Sequence, residues 1–363
     1  MTSKAMVLPL VRQIATRGYA QAAPATREVR VNSNILSNKT FVATVDNGSP
    51  VTRVTIAFKA GSRYEPQTEL GVAHVLRSAA GLSTRNASAF MISRKLSQVG
   101  ASFSASGDRE FIYYTLEATQ DNLDVALEYL NNIVSNQEFR PWELSDNAPR
   151  MKYEIASLAP QIRAVDLLHR AAYRRGLGNS LFISPKKIGH ISSESVQHYA
   201  STTLSHSRCA IVVVGSNQEK ASIVAQALQL PSSGDASCEK ASYFGGELRK
   251  EMGGDLAHVA LAVQGASAGS KQSLALAVAA KAIGSGPVTK WGADNSPIAK
   301  AIGNVGPFAA AGFNVSYSDN GLFGVILSVA KDEAASALSN AVRNKMSMGA
   351  VGNLAFVPYV DEV

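Results

Sequence analysis

The chain is 363 residues long, 46% hydrophobic and 17% charged, with a formal net charge of +7, which can bury a sizeable core and favours two domains over one. No apolar run reaches the roughly 18 residues needed to cross a bilayer. Two isolated cysteines, Cys209 and Cys238, are too few for a disulfide framework or a zinc knuckle and suit a reducing compartment.

Residues 1–19 hold Lys4, Arg12 and Arg17, and no acid precedes Glu28. With apolar residues interleaved among Ser and Thr, this is the composition of a mitochondrial transit peptide, and Arg17-Gly18-Tyr19-Ala20 resembles a matrix-peptidase cleavage pattern with the cut after Tyr19. Its removal takes three positive charges and leaves a mature chain near +4. That charge, without interleaved aromatic and basic residues, excludes nucleic acid as a partner, yet it suits anionic lipid head groups.

In RVTIAFKAG, residues 53–61, apolar and polar residues alternate, which predicts a strand with Val54, Ile56 and Phe58 on one face. GVAHVLRS, Gly71–Ser78, follows. A zinc hydrolase of the inverted type uses His-x-x-Glu-His, with two imidazoles one helical turn apart on the ion and the glutamate activating water. Here His74 remains, Arg77 stands at the glutamate position and Ser78 at the second histidine. The motif is degenerate, with a cation where a base is needed.

SASGDREFIYYTLEA, residues 104–118, reads as a turn centred on Asp108 running into a strand. QDNLDVALEYLNNIVSN, residues 120–136, reads as a helix with Asp121 as N-cap and Leu123, Leu127, Leu130 and Val134 as its apolar stripe. Residues 140–203 are helical text. His169 lies there among Arg163, Arg170, Arg174 and Arg175, and with no paired nucleophile it reads as a surface or interface residue. His190, His198 and His206 are spaced by eight, which puts no two on adjacent helical turns. SRCAIVVVG, residues 207–215, closes this half as a strand, and LPSSGDASCEKAS, residues 230–242, is polar and glycine-containing as a linker should be.

The second half repeats the first. HVALAVQGAS places Val259, Leu261 and Val263 at an offset of 205 from Val54, Ile56 and Phe58, and VSYSDNGLFGVILSV places Asp319 at 211 from Asp108. Two tandem α+β units, each a mostly antiparallel sheet with helices packed on it, are expected. Gly352 lies only 137 residues after Gly215, so the second copy is about 74 residues short, with a join near Asn344 and Lys345. The shortage should strip cover from the second sheet and expose apolar surface. GSGPVTKWGADN, residues 284–295, is glycine-rich but lacks the Gly-Lys-Ser/Thr ending of a phosphate loop. No G-x-S-x-G elbow, Cys-x-x-Cys-His attachment motif or iron–sulfur spacing occurs.

FKAGSRYEPQTELGVAHVL, NQEFRPWELSD, NVSYSDNGLFGV and the terminal FVPYVDEV resemble, in order and across nearly the whole chain, the M16 metallopeptidase family. The likeness is to its non-catalytic branch, the core 2 type of the mitochondrial cytochrome bc1 complex. The resemblance implies two LuxS/MPP-like metallohydrolase units, with a transit peptide at 1–19, units at 20–229 and 243–363 and the linker at 230–242. Within the family a glutamate some 75 residues past the second histidine is a third metal ligand, and Glu154 lies 76 past Ser78. One histidine and one distant carboxylate beside a guanidinium make no tetrahedral site, so His74, Arg77, Ser78 and Glu154 are expected to be vestiges that hold no catalytic, cofactor or metal role. The implied role is structural and non-enzymatic, in complex III of the respiratory chain. The chain would sit peripherally on the matrix side of the mitochondrial inner membrane, beside a core 1 subunit, cytochrome b, the Rieske protein and other bc1 subunits, carrying no cofactor of its own. Two rival readings follow from the same resemblance. An α-type subunit of the mitochondrial processing peptidase would bind presequences through the 284–295 loop, and a residual zinc metallopeptidase would use His74 and Glu154.

Overall fold

The computed structural model describes residues 31–232, 238–284, 286, 296–303, 305–341 and 346–362. The expected transit peptide, the middle of the linker, most of the 284–295 loop and the join at 344–345 lie outside them. In the first half β1 (Val31–Ile35), β2 (Phe41–Val45) and β3 (Val51–Phe58) lead to α1 (Val72–Ser78) and α2 (Ala89–Gln98). A hairpin of β4 (Ser102–Gly107) and β5 (Ile112–Thr119) follows. Then come α3 (Leu123–Ser135), α4 (Pro141–Ala156), α5 (Pro160–Tyr173), α6 (Ser193–Thr203), β6 (Cys209–Val214) and α7 (Gln218–Ala227). The second half has β7 (Glu247–Glu251), β8 (Leu256–Gln264), α8 (Lys271–Ile283) and α9 (Pro297–Ile302). It ends with β9 (Phe308–Ser316), β10 (Gly321–Ala330), α10 (Ala334–Ala341) and β11 (Ser347–Gly352).

The strands form two sheets, ordered β1-β2-β6-β3-β5-β4 and β7-β11-β8-β10-β9. Apart from the extra edge strand β1, the second order is the first repeated. The pairing is antiparallel except for β2 with β6 and β7 with β11, so the mostly antiparallel α+β pair expected from the sequence is what forms. The repeat holds atom by atom at the strand ends. Gly215 and Gly352 both take positive φ, and a Cβ there would meet the carbonyl oxygen of Val51 at 2.7 Å in one unit and of Leu256 at 2.3 Å in the other. Only glycine allows that approach, and Val51 and Leu256 are themselves 205 apart.

Val54, Ile56 and Phe58 are buried, as their alternation predicts, in a core shared with Ile112, Tyr114, Leu116, Ile211 and Val213. The helix predicted at 120–136 enters through a 3-10 turn, Gln120–Asn122. Asp121 therefore is not its cap, since Asn122 takes the cap position without a side-chain bond. Leu123, Leu130 and Val134 of the predicted stripe are buried and are joined by Ala126 and Ile133, while Leu127 is half-buried.

α5 belongs by sequence to the first half and packs on the second sheet. Its Ala164, Leu168 and Ala172, spaced by four on one helix face, share a buried cluster with Ala260, Ala262, Leu322 and Val351. The approach is close enough that a Cβ on Gly349 of β11 would lie 2.3 Å from the Ala164 oxygen and 2.5 Å from the Leu168 nitrogen. Helix α10 and the core of Val259, Leu261, Leu327 and Ala350 lie on the other face. Under α5 the second sheet is covered over β7, β11 and β8 and so is stripped less than expected, while β9 and the middle of β10, with Phe313, Phe323 and Val325, are only half-buried.

Exposure also falls elsewhere. Four helices, α3 to α6, stand between β5 and β6, whereas among the described residues one helix, α10, stands between β10 and β11. The first sheet keeps one face open. Val212 and Thr55 are half-buried there, while their repeat counterparts on the second sheet, Gly349 and Ala260, are buried under α5. Leu274 and Val278 on the outside of α8 are likewise exposed.

Candidate functional site

α1 is short and almost wholly buried, with Val72, Leu76 and His74 all inside. Its first turn is closed by a residue that the sequence does not advertise. The Glu65 carboxylate accepts from the backbone N–H of Gly71 at 3.0 Å and of Ala73 at 2.9 Å, and burial pushes its pKa up to about 7. The helix is thus fixed at its start, and its side chains are presented to α4 across the way.

His74 is held from both sides. Its Nδ1 accepts the N–H of Ile183 at 3.1 Å, so the ring's hydrogen belongs on Nε2. That Nε2 faces Glu154 Oε2 at 3.3 Å. Arg77, one turn on, donates through NH2 to the other carboxylate oxygen of Glu154. Hydrogen bonds from His74 and from Arg77 hold the Glu154 carboxyl down to about 2. Ser78 turns elsewhere: its Oγ accepts from Asn147 Nδ2 at 2.8 Å, and that amide also donates to the Ser78 carbonyl at 3.1 Å. The structure therefore brings His74, Arg77 and Glu154 into one cluster and ties Ser78 to α4 beside it. Asn147 sits seven residues before Glu154, two turns along one helix face, a spacing that could have revealed it in the sequence.

A zinc ion does not fit this set. The nitrogen of His74 that faces the cluster carries a hydrogen instead of a free lone pair, the guanidinium of Arg77 already satisfies Glu154, and Ser78 is committed to Asn147. What remains is an ion pair that pins α1 to α4, with the arginine supplying the positive charge a metal would have brought.

A second polar cluster lies where the two repeat turns meet. Arg63 is buried, and its NH1 donates to Glu110 Oε1 at 2.7 Å and to Asp319 Oδ1 at 2.8 Å. Ser318 N–H donates to Glu110 Oε2 at 2.9 Å, and Ala241 N–H to Asp319 Oδ2 at 2.8 Å. Asp108, the matching aspartate of the first turn, instead accepts from Glu110 N–H, Phe111 N–H and the Tyr113 hydroxyl within its own turn. Arg63 and Glu110 are 47 residues apart and Asp319 is 256 from Arg63, a separation over which no local pattern announces contact.

His169 is corrected by the structure. It is 2% exposed, so it is no surface residue. Its Nδ1 donates to Val165 O at 2.7 Å and its Nε2 accepts from the Tyr317 hydroxyl at 2.9 Å. Burial, with the nearby Arg109 charge, lowers its pKa to about 3. It is a neutral link between the two halves. His206 is fixed by Thr40 Oγ1 at 3.0 Å.

Two tandem α+β units with a degenerate inverted-zincin helix define a metallopeptidase-like protein in which Arg77 pairs with Glu154. Residues 41–184 match the model of insulinase, peptidase family M16, and residues 190–350 match that of the peptidase M16 inactive domain. The chain is 35% identical to the human cytochrome b-c1 complex subunit 2, mitochondrial, over 96% of its own length and 77% of that protein's. It is 34% identical to the rat protein of the same name, over 88% and 72%. The similarity to the potato mitochondrial-processing peptidase subunit alpha is lower, 27% over 86% of this chain and 64% of that one. The chain belongs to the M16 peptidase family and, within it, to the cytochrome b-c1 complex subunit 2 proteins.

Proposed function

We propose that this chain is a non-catalytic subunit of the mitochondrial cytochrome b-c1 complex, complex III of the respiratory chain, and acts by supporting the complex's assembly and stability. The observation that carries the non-enzymatic part is the Arg77 guanidinium on Glu154, which replaces both the general base and the metal charge of a working peptidase. The kinship reported above carries the complex. Among the described residues no helix is long and apolar enough to cross a membrane, which supports a peripheral place; the matrix side, and a core 1 subunit, cytochrome b and the Rieske protein as neighbours, belong to the same reading. So do a transit peptide at 1–19, units at 20–229 and 243–363 about the 230–242 linker, and a second unit that lacks about 74 residues. The mild basic charge would favour anionic lipid beside the complex.

The test is import of a tagged copy into mitochondria, native electrophoresis, and mass spectrometry of what co-migrates. Co-migration with cytochrome b and a core 1 partner is expected. Migration with a processing-peptidase β subunit would overturn the assignment in favour of presequence handling, and failure to enter any complex would overturn it for this shortened form.

A further inference from the structure

A cavity of about 360 Å³ that the M16 cluster does not use is lined by the first half, with Lys250 its one lining residue from the second. The volume is that of a small-molecule site. Its wall is mixed: Leu70, Ile155, Leu158, Leu167, Phe182 and Ile183 give an apolar side, and Gln67, Asn179, Ser180 and Ser184 a polar one. Its rim is cationic: Arg170 and Arg174 from the end of α5, Lys187 from the segment before α6, and Lys250 from β7 of the second half.

The rim cations form no direct ion pair, although the buried Glu65 carboxyl lies near enough to Lys187 to feel its charge. Arg163, the fifth cation, is spent on the end of α4, where it donates to the carbonyls of Leu158 and Ile155. The one lining carboxylate, Asp166, is turned inward and saturated. It takes Arg109 NH2 at 2.8 Å, the Ser180 hydroxyl at 2.7 Å and the Leu181 N–H at 3.2 Å. Among the described residues no carboxylate pairs with Arg170, Arg174, Lys187 or Lys250. Arg174, at the edge of the same rim, is engaged elsewhere: its guanidinium lies 4.9 Å from the centre of the Phe244 ring of the second half.

Several positive charges at a mouth beside an apolar wall select a ligand with a compact multiply charged anionic head and a short apolar body. We propose that this cavity binds an anionic amphiphile through its phosphate group, with Arg170, Lys187 and Lys250 on the phosphate and the apolar part against Leu167, Phe182 and Ile183. The assignment is independent of membership in any complex.

The probe is dihexanoyl phosphatidic acid below its micellar concentration, titrated calorimetrically into the full chain. Dihexanoyl phosphatidylcholine and inorganic phosphate are the comparisons. Phosphatidic acid should bind at least tenfold more tightly than either, and should raise the melting temperature. Arg170→Ser with Lys187→Ser, and separately Lys250→Ser, should each weaken it at least tenfold, while Arg94→Ser on α2 should leave it unchanged; these side chains lie at the surface or half-buried, and circular dichroism of each variant checks its fold. Equal binding of phosphatidylcholine would overturn the anionic part, equal binding of inorganic phosphate the apolar part, and indifference to the rim variants the site itself. Vesicles with one fifth phosphatidic acid separate the sources. Retention that the rim variants abolish would assign a membrane, and monomer binding without retention a soluble phosphorylated amphiphile.

Discussion

Replacing Gly349 by alanine tests the seating of α5 on the second sheet. The new methyl would stand 2.3 Å from the Ala164 oxygen, 2.5 Å from the Leu168 nitrogen and 2.9 Å from the Leu168 Cα, all backbone atoms of a helix that cannot swing aside as a side chain can. Ordinary contact needs roughly 3.5 Å, so the helix must retreat by about 1 Å. A gap of that size forfeits a quarter to a half of the dispersion contact along the interface. Leu168, Ala164 and Ala172 are wholly buried there, and half the burial value of a leucine and two alanines is about 2 kcal/mol. Overpacking strain adds roughly 1 to 3 kcal/mol, giving a total of about 4 kcal/mol. Calorimetric and chemical unfolding of the full chain measure it. Gly253→Ala is the control, since a Cβ there meets nothing within 4 Å, and it should move stability by less than about 0.5 kcal/mol. If Gly349→Ala unfolds with its control, α5 does not lie against β11 and the exchange of a helix between halves is wrong.

Arg77→Glu with Ser78→His restores the motif's letters, yet zinc binding should stay weaker than micromolar because the Ile183 N–H keeps the hydrogen of His74 on Nε2; stoichiometric, submicromolar zinc in a calorimetric titration would refute that lock. Arg63→Met leaves Glu110 and Asp319 without their cation, and should cost about 3 to 5 kcal/mol in unfolding experiments, far more than the same change at the exposed Arg53. Two buried groups oppose each other in pH dependence. His169, with a pKa of about 3 against an ordinary 6.5, contributes stability that is full above pH 6.5 and falls as the solution is acidified. Glu65, at about 7 against 4.5, costs stability that grows as pH rises from 4.5 to 7. Each is worth about 2 kcal/mol between pH 6.5 and 5, so Glu65→Gln should make the chain lose stability over that interval and His169→Gln should make it gain. Parallel profiles for the two variants would contradict both signs. The open face of the first sheet and the outer side of α8 should bind an apolar dye in the native state, and a chain that excludes the dye would show those faces covered.

The fold was legible where its determinants are local or repeated. Alternation placed Val54, Ile56 and Phe58 on the buried face of β3, and the offsets 205, 211 and 137 predicted paired strands that the two sheet orders reproduce. The N-cap of α3 was misread because Asp121 has the right chemistry, but the chain spends it on a 3-10 turn. The destination of α5 was illegible, and with it the face left bare. An alanine and leucine stripe says that a helix face is buried and not against which sheet. At the site, His74 and Arg77 could be named from the motif and Glu154 from the family resemblance, but their joint geometry depends on Ile183, which lies on another segment. Glu65 and His169 titrate far from their usual ranges for the same reason: burial is a property of the fold.

The conversion of a metal site into a structural joint needs only that the positive charge be kept. Glu154, half-buried on α4, would be costly facing an uncharged neighbour. An arginine one turn from His74 supplies a cation that cannot be deprotonated or chelated away. The helix then no longer depends on metal supply for its attachment to α4. The side chain at the position where the motif would need a base is the one that makes the pin. The cluster is held by the Arg77–Glu154 pair without a metal, and Ser78 stands outside it in a separate bond to Asn147.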